Sequence, residues 1–434
     1  MNTHRAEQVA NAILYEGYVL YPYRASAPKN QARWQIGLIV PRAFADAAGS
    51  DPSFVQTECI AELRPGARLT LRVRGLQPQG RTVEERVDGD GPSWRPVADL
   101  TVGARRLVAW DEAVACEFRR ENIVLDDAQD LSWDWTLEPW CAIEEVEGTD
   151  GTPAARLTRS RREVQLRIRL VTRAEPPFLR MLLRVENLTP SSARSLAERH
   201  EALEQSLAGT HSILALEGAR FESLLEPSPA AATLVARCTN AHTFPVLADS
   251  PGSRQVLLSS PVILYDYPAV APESSGELFD STEIDELLTL RVRTLTDAEK
   301  AEARATDPLA AAVIERCDAA SPSDIGSLHG AVRGFETFLN PPDEPSPEEG
   351  SVCIDGVLIR RGSQVRLRPV RVADSLDLCL SGRTATVAAV YRTLEDDPYV
   401  AVSLDDDPFG AEGIKYRRAL FFRPEELVPL VGQP

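Results

Sequence analysis

Apolar and polar residues alternate along much of positions 1–190, the period-2 pattern of strands with one face in a core and the other in water. Val55, Thr57, Cys59, Ala61 and Leu63 fall on one side, with Gln56, Glu58 and Glu62 opposite. Leu69, Leu71 and Val73 alternate with Thr70, Arg72 and Arg74. The clearest case is a hairpin. Val164, Leu166, Ile168 and Leu170 alternate, residues Ala174–Phe178 turn on a Pro-Pro pair, and Leu179, Met181, Leu183 and Val185 continue the apolar face. One wet face and one buried face is the habit of antiparallel sheets, so residues 1–190 read as a β-rich region.

The period changes after Pro190. Leu196, Leu203 and Leu207 share a helical face, predicting a helix from near Ser192 that stops at Gly209. Thr296 with Glu299 forms a capping box that opens a charged helix reaching about Ala305. Asp307 then caps another helix with Pro308 at its first position, where a missing N–H costs nothing. The apolar run Val256–Tyr265 between these helices reads as a buried strand. Residues 191–340 are therefore mixed α and β, either a domain or one unit with the first region.

Residues 341–349, Pro-Pro-Asp-Glu-Pro-Ser-Pro-Glu-Glu, hold four prolines and four acids. Such a stretch can neither bury surface nor hold a helix, so it reads as an extended linker. Residues 350–434 then carry four short strand patterns, at 362–368, 383–391, 399–404 and 418–422, separated by turn residues. Strands of this length and spacing suit a small SH3-like or KOW-like barrel. The fold class predicted for the whole chain is α+β.

Composition narrows the function. Acids outnumber bases 65 to 47, a net charge of −18, which disfavours general nucleic-acid binding because that needs Lys and Arg to neutralise phosphates. The first residues carry His4, Arg5 and Glu7 where a signal peptide would be apolar, and no run approaches the ~18 apolar residues of a membrane helix. A cytoplasmic location without membrane insertion is expected. The seven cysteines are scattered without a CxxC pair, and the five histidines form neither HExxH nor a close pair. No disulfide framework, zinc knuckle or cofactor motif is indicated, and none is assigned.

Four polar clusters carry candidate chemistry. Tyr15, Tyr18, Tyr21, Tyr23 and Arg24, with Lys29 nearby, form a dense aromatic and basic segment; residues 1–40 hold four bases and two acids. Tyrosines beside guanidinium and ammonium groups make a recognition surface, but a strand whose tyrosines pack on a sheet has the same composition. The predicted hairpin carries Arg167, Arg169 and Arg173 on one strand and Arg180 and Arg184 on the other. Like charges directly opposite are destabilising, so either an acidic partner or the chain's own carboxylates must compensate. Asp280, Glu283, Asp285 and Glu286 gather before an apolar run, either as a cation or acid–base site or as a solvated helix start. Asp405–Asp407 reads as a solvated loop. His200 falls on the predicted helix's apolar face and reads as a core histidine, Cys59 as a small buried hydrophobe, and His242 as a loop residue.

Several of these words resemble a family encoded beside uptake-type nickel–iron hydrogenases and their maturation factors. They are Tyr15–Arg24, Gln56-Thr-Glu-Cys59, Ser259–Pro268 and Asp280–Leu290, with Gly382-Arg-Thr-Ala-Thr-Val387 and Leu404-Asp-Asp-Asp-Pro408 resembling barrel segments of accessory proteins in that setting. The chain lacks the two CxxC pairs expected of the hydrogenase large subunit. The resemblance implies a non-catalytic accessory or assembly factor, with a hydrogenase subunit or maturation factor as partner. Under that reading the tyrosine–arginine segment contacts the client and the barrel docks a second partner. The alternative is a carboxylate-dependent hydrolase built on Asp280, Glu283, Asp285 and Glu286 with His242.

Overall fold

The computed structural model describes residues 3–31, 33–88, 92–270, 276–280, 285–321, 324, 328, 350–368, 382–392, 398–405 and 420–430. The protein is β-rich, 47% strand and 20% helix, built on a large curled antiparallel half-barrel sheet with a few helices and small C-terminal sheets. Two compact units are present, Met1–Ala331 and Val332–Pro434.

The first unit begins with helices α1 (His4–Leu14), α2 (Pro28–Gln31) and α3 (Arg42–Ala48). Strand β1 (Phe54–Asp88) then runs for 35 residues. It is followed by β2 (Pro92–Val97), β3 (Asp99–Val102), β4 (Arg105–Val108), β5 (Trp110–Val124), β6 (Ala128–Leu137), β7 (Trp140–Glu147) and β8 (Pro153–Arg161). The hairpin is β9 (Val164–Glu175) and β10 (Phe178–Asn187), and α4 (Arg199–Leu203) leads into β11 (Ala208–Phe221). After α5 (Ala232–Val235) come β12 (Phe244–Leu247) and β13 (Val256–Ser260), then α6 (Asp285–Arg293), α7 (Asp297–Thr306) and α8 (Pro308–Ala319).

The main path of the sheet is β12-β13-β11-β1-β10-β9-β6. β1 changes partners along its length: its first third pairs with β10, its middle with β11 and β5, its last part with β8 and β2. A register shift between Leu63 and Arg68 marks where it leaves β10. Irregularities of this kind bend a strand and raise its twist, which curls the sheet. β5 and β6 consequently face each other, with the Phe118 ring centroid 6.2 Å from Trp133 and 5.9 Å from Trp135.

The alternation in the sequence marks this core. Val55, Cys59 and Ala61, then Leu69, Leu71 and Val73, then Val164, Leu166, Ile168 and Leu170, then Leu179, Met181, Leu183 and Val185 all lie in one buried cluster. The hairpin pairs Phe178 with Glu175 around Pro176 and Pro177 and continues to Asn187 with Leu166. A second core lies between the N-terminal segment and α6–α8, and a third seats α1 on β11 and β13. The two capped helices form at the expected places: Thr296 caps α7 with Glu299 in a capping box, and the Asp307 side chain accepts from the Leu309 N–H at the start of α8.

Three sequence expectations are corrected. The strand read over Val256–Tyr265 ends at Ser260, and Ile263 and Tyr265 are exposed. The helix read from Ser192 to Gly209 shrinks to a 3-10 turn at Leu196–Glu198 and the five residues of α4, with Leu196 and His200 in solvent. Gly209 does not cap it. It opens β11 at φ 58°, where a Cβ would stand 2.6 Å from the Leu14 carbonyl oxygen, so tertiary contact rather than helix termination explains the glycine.

The second unit has a hairpin of β14 (Ser351–Ile354) and β15 (Val357–Arg360). Five further strands are β16 (Gln364–Leu367), β17 (Thr384–Arg392), β18 (Pro398–Leu404), β19 (Leu420–Phe422) and β20 (Leu427–Pro429), in the order β19-β18-β17-β16-β20. Val365, Leu367, Val387, Val400 and Val402 form its core. β16 to β19 coincide with the four strands read from sequence. The 341–349 segment lies outside the described residues.

Candidate functional site

Lys29 and Asp280, from two segments singled out separately in the sequence, come together. After α1 the chain makes turns rather than a strand. Asn30 holds those turns shut: its Oδ1 accepts from the Leu20 N–H at 2.8 Å, and its Nδ2 donates to the Leu20 and Arg24 carbonyls. Tyr23, at φ 63° and fully buried, donates from its hydroxyl to the Leu278 carbonyl at 2.7 Å. Lys29 Nζ reaches Asp280 Oδ2 at 2.6 Å, and Arg24 pairs with Glu299 at 3.2 Å. Backbone N–H groups of Ala25 and Ser26 donate to Thr306 Oγ1 and Glu302 Oε1. The segment is thus strapped onto α7 and its flanks.

Tyr18 sits deeper, 2% exposed. Its hydroxyl donates to Asp307 Oδ2 at 2.8 Å and accepts from Trp110 Nε1 at 3.0 Å. The Arg33 guanidinium lies 3.3 Å from the Trp110 ring centroid and 3.6 Å from Asp111 Oδ2. Burial pushes the Tyr18 hydroxyl well above its ordinary value, with the Asp307 charge adding to it. Burial likewise raises Asp307, opposed by the Leu309 N–H and the Tyr18 hydroxyl. Of the six residues expected to face a client, Tyr18 and Tyr23 are core, Tyr15, Tyr21 and Arg24 are half-buried, and Lys29 is exposed but committed to Asp280. These residues join the N-terminal segment to the helices; they do not form an open aromatic face.

The acidic segment does not gather into one site. Asp280 is 3% exposed and neutralised by Lys29, while Asp285 and Glu286 occupy the first turn of α6, where the helix dipole favours them. Glu283 lies outside the described residues. His242 packs edge-on against Phe54, 5.6 Å between centroids, beside the Gln56–Ala241 bridge. Among the described residues, no group of three or more His, Cys, Asp or Glu is placed to hold a metal ion. Asp405 accepts from Thr386 Oγ1, and Asp406 and Asp407 lie outside the described residues. Cys59 is buried, and burial pushes its thiol far up, away from a reactive thiolate.

The arginine face of β9 and β10 is built as the alternation requires. In register, Arg173 stands opposite Arg180, Arg169 opposite Arg184, and Arg167 opposite Glu186. The chain's own carboxylates answer most of this charge. Asp134 and Asp130 on β6 pair with Arg167 and Arg169, each through Nε at 2.8 Å. Glu58 on β1, 6% exposed, pairs with Arg180 and also accepts from the Thr239 N–H at 2.7 Å. Arg184 lies 3.5 Å from the Phe54 ring centroid and 3.7 Å from Glu186. Arg173, exposed, has no hydrogen bond or ion pair among the described residues. A groove of about 260 Å³ is lined by Arg169, Arg173, Arg180, Glu58 and Asp130 over Val171 and Leu182. Among the described residues three cations face two anions there, one charge in surplus. The sequence signalled the arginines but not Glu58, Asp130 and Asp134 as their partners; the two acids four apart on one face of β6, Asp130 and Asp134, were the available sign.

No family model matches the chain, and no curated protein does. A solved structure with some likeness is the Salmonella SPI-1 type III secretion injectisome secretin InvG in its open-gate state. It is 10% identical over 59% of this chain and 76% of that one, with a TM-score of 0.08, too low to carry any argument.

Proposed function

We propose that this chain is a non-catalytic accessory protein that works by contact, seating an acidic segment of a client on the β9–β10 arginine face. The observation that carries the reading is Arg173: an exposed guanidinium without a partner among the described residues, directly across from Arg180, in a groove where those residues leave a one-charge surplus, on a protein of net charge −18. A client carboxylate there relieves the Arg173–Arg180 repulsion and meets a guanidinium whose fork matches it bidentately. Arginine over an apolar floor is also the composition of contact hot spots.

The sequence resemblance supplies the context: a nickel–iron hydrogenase subunit or maturation factor as client, in the cytoplasm. We also assign the second unit an SH3-like barrel fold. In support, β20 returns to pair with β16 at the head of the β16–β19 meander, after a 3-10 turn at Pro424–Glu426. Its role is to dock a second partner. The carboxylate-dependent hydrolase is the weaker reading, because Asp280 is already neutralised and His242 packs on Phe54.

An assembly factor changes how much active enzyme forms, not how fast finished enzyme turns over. A deletion strain should therefore hold less active hydrogenase at unchanged turnover per molecule, and Arg173→Glu should fail to restore it where wild type succeeds. Normal hydrogenase levels in the deletion strain would overturn the accessory role.

A further inference from the structure

A second cleft, of about 280 Å³, opens where the start of α8 and the end of α7 meet the sheet. Five arginines line it: Arg81 from β1, Arg105 and Arg106 from β4, Arg159 from β8 and Arg304 from α7. Its other described lining residues are apolar, Leu157 and Pro308 among them, and no carboxylate is in the wall among the described residues.

Carboxylates do touch these guanidiniums, without lining the cleft. Glu112 takes Arg81 at 2.9 Å and Arg159 at 3.1 Å, and Glu144 takes Arg105 at 2.6 Å and Arg159 at 3.2 Å. Asp99 and Glu302 lie 3.1 and 3.7 Å from Arg106, and Asp318 holds Arg304 at 3.1 Å while also pairing with Lys300. Among the described residues five carboxylates thus answer five guanidiniums and one ammonium, and the charge of the buried Asp307 also reaches Arg81. Their chief effect is to fix the arginines in place, so that a ligand need not order long, mobile side chains.

Fixed as they are, the arginines keep donors to spare. Among the described residues Arg105 uses only Nη1 and Arg304 only Nη2, and Arg106 commits only Nη2. Arg159 uses Nε and Nη1, leaving Nη2. Arg81 is the exception. Its Nε donates to the Val108 carbonyl, Nη1 to Glu112 and Nη2 to the carbonyls of Ala305 and Thr306. Those last two bonds matter, because the carbonyls at the C-terminus of α7 would otherwise repel an anion.

We infer that this cleft binds a compact polyphosphate anion of two linked phosphoryl groups, either free pyrophosphate or the diphosphate end of a nucleotide. The spare donors come in two pairs. Arg105 and Arg159 are tied together by Glu144, and Arg106 and Arg304 belong to the α7 side. Donors arriving from β4, β8 and α7 suit tetrahedral groups with oxygens on several sides better than a planar carboxylate with two. The volume lies just below the ~300–1,000 Å³ of drug-sized ligand pockets, which fits a small anion. This site shares no lining residue with the β9–β10 groove, so its failure leaves the contact reading untouched.

The test is calorimetric titration of the full-length chain with sodium pyrophosphate, ADP and inorganic phosphate, at low and at physiological salt. Pyrophosphate should bind one per chain, at least tenfold tighter than phosphate, and weaken as salt rises. ADP at least as tight as pyrophosphate identifies a nucleotide ligand; ADP tenfold weaker identifies the free anion. Arg105→Ala and Arg304→Ala, both at solvent-reaching positions, should each weaken binding at least fivefold. Arg119→Ala on β5, outside the cleft, should not, with tryptophan fluorescence confirming that all three variants fold. No heat with millimolar pyrophosphate, equal affinity for phosphate, or binding unchanged in both cleft variants would overturn the inference.

Discussion

Acid should destabilise the first unit through His211 alone by an amount the structure fixes. His211 lies in β11 opposite Arg74, 1% exposed. Its Nδ1 is 2.7 Å from the Gly209 carbonyl oxygen, which can only accept, so Nδ1 carries the hydrogen. Nε2 is buried without a partner among the described residues, which favours the neutral ring. Burial lowers the imidazole from its ordinary 6.5 to about 4; the Gly209 bond opposes this, Arg74 reinforces it, Glu117 opposes and Arg72 reinforces. Because the folded value lies below the unfolded one, the unfolded chain takes the proton first as pH falls. The stability is fully present above pH 6.5 and is lost between 6.5 and about 4. The loss is about 2 kcal/mol from pH 7 to pH 5 and about 3 kcal/mol by pH 4. Other groups titrate in the same window, so the quantity to compare is the difference between wild type and His211→Asn, whose amide can still donate to Gly209 but cannot take up a proton. All six tryptophans fall within residues 34–140, so urea unfolding followed by tryptophan fluorescence reports the first unit without interference from the second. Equal pH slopes in wild type and His211→Asn would refute the reasoning.

Three further outcomes follow from the N-terminal strapping. Lys29→Ala should lower first-unit stability by about 1–2 kcal/mol by leaving the Asp280 carboxylate buried without its cation, less than for a fully buried pair because Lys29 is half in water, and adding Asp280→Asn should recover part of it in the same urea titration. Asp307→Ala removes both the cap of α8 and the acceptor for Tyr18, so a loss of about 2–3 kcal/mol is expected, against about 1 kcal/mol if only the cap matters. Gly209→Ala should destabilise more than either, since φ 58° and the Leu14 carbonyl at 2.6 Å both oppose a Cβ, and a melting temperature within a degree of wild type would contradict that.

Two stretches of β1 and the β9–β10 hairpin were legible because they keep one face dry and the other wet; β9 and β10 are the best examples, down to the turn at Pro176. The capped helices were legible because Thr296 with Glu299, and Asp307 with Pro308, are local chemistry. Where long-range contact decides, local pattern misled. Gly209 looked like a helix end because the approach of Leu14, 195 positions away in sequence, cannot be seen from its neighbours. The core histidine is His211 rather than His200 for a similar reason: the helical spacing expected to bury His200 never forms, and β11, buried on both faces, has no alternation to flag His211. The tyrosines were legible as a cluster but not as a core, because their partners Asp307, Leu278 and Trp110 come from distant segments.

The contact role is tested most directly by measuring how purified full-length chain binds purified hydrogenase subunits and maturation factors, for wild type and Arg173→Glu, at low and high salt. The account predicts binding that weakens with salt and is lost in the variant. The same substitution should leave the melting temperature unchanged or slightly raised, since it replaces the Arg173–Arg180 repulsion with a cross-strand ion pair. Loss of binding without loss of stability is the signature of a contact residue. Equal binding by wild type and Arg173→Glu, in two equally folded proteins, would contradict it.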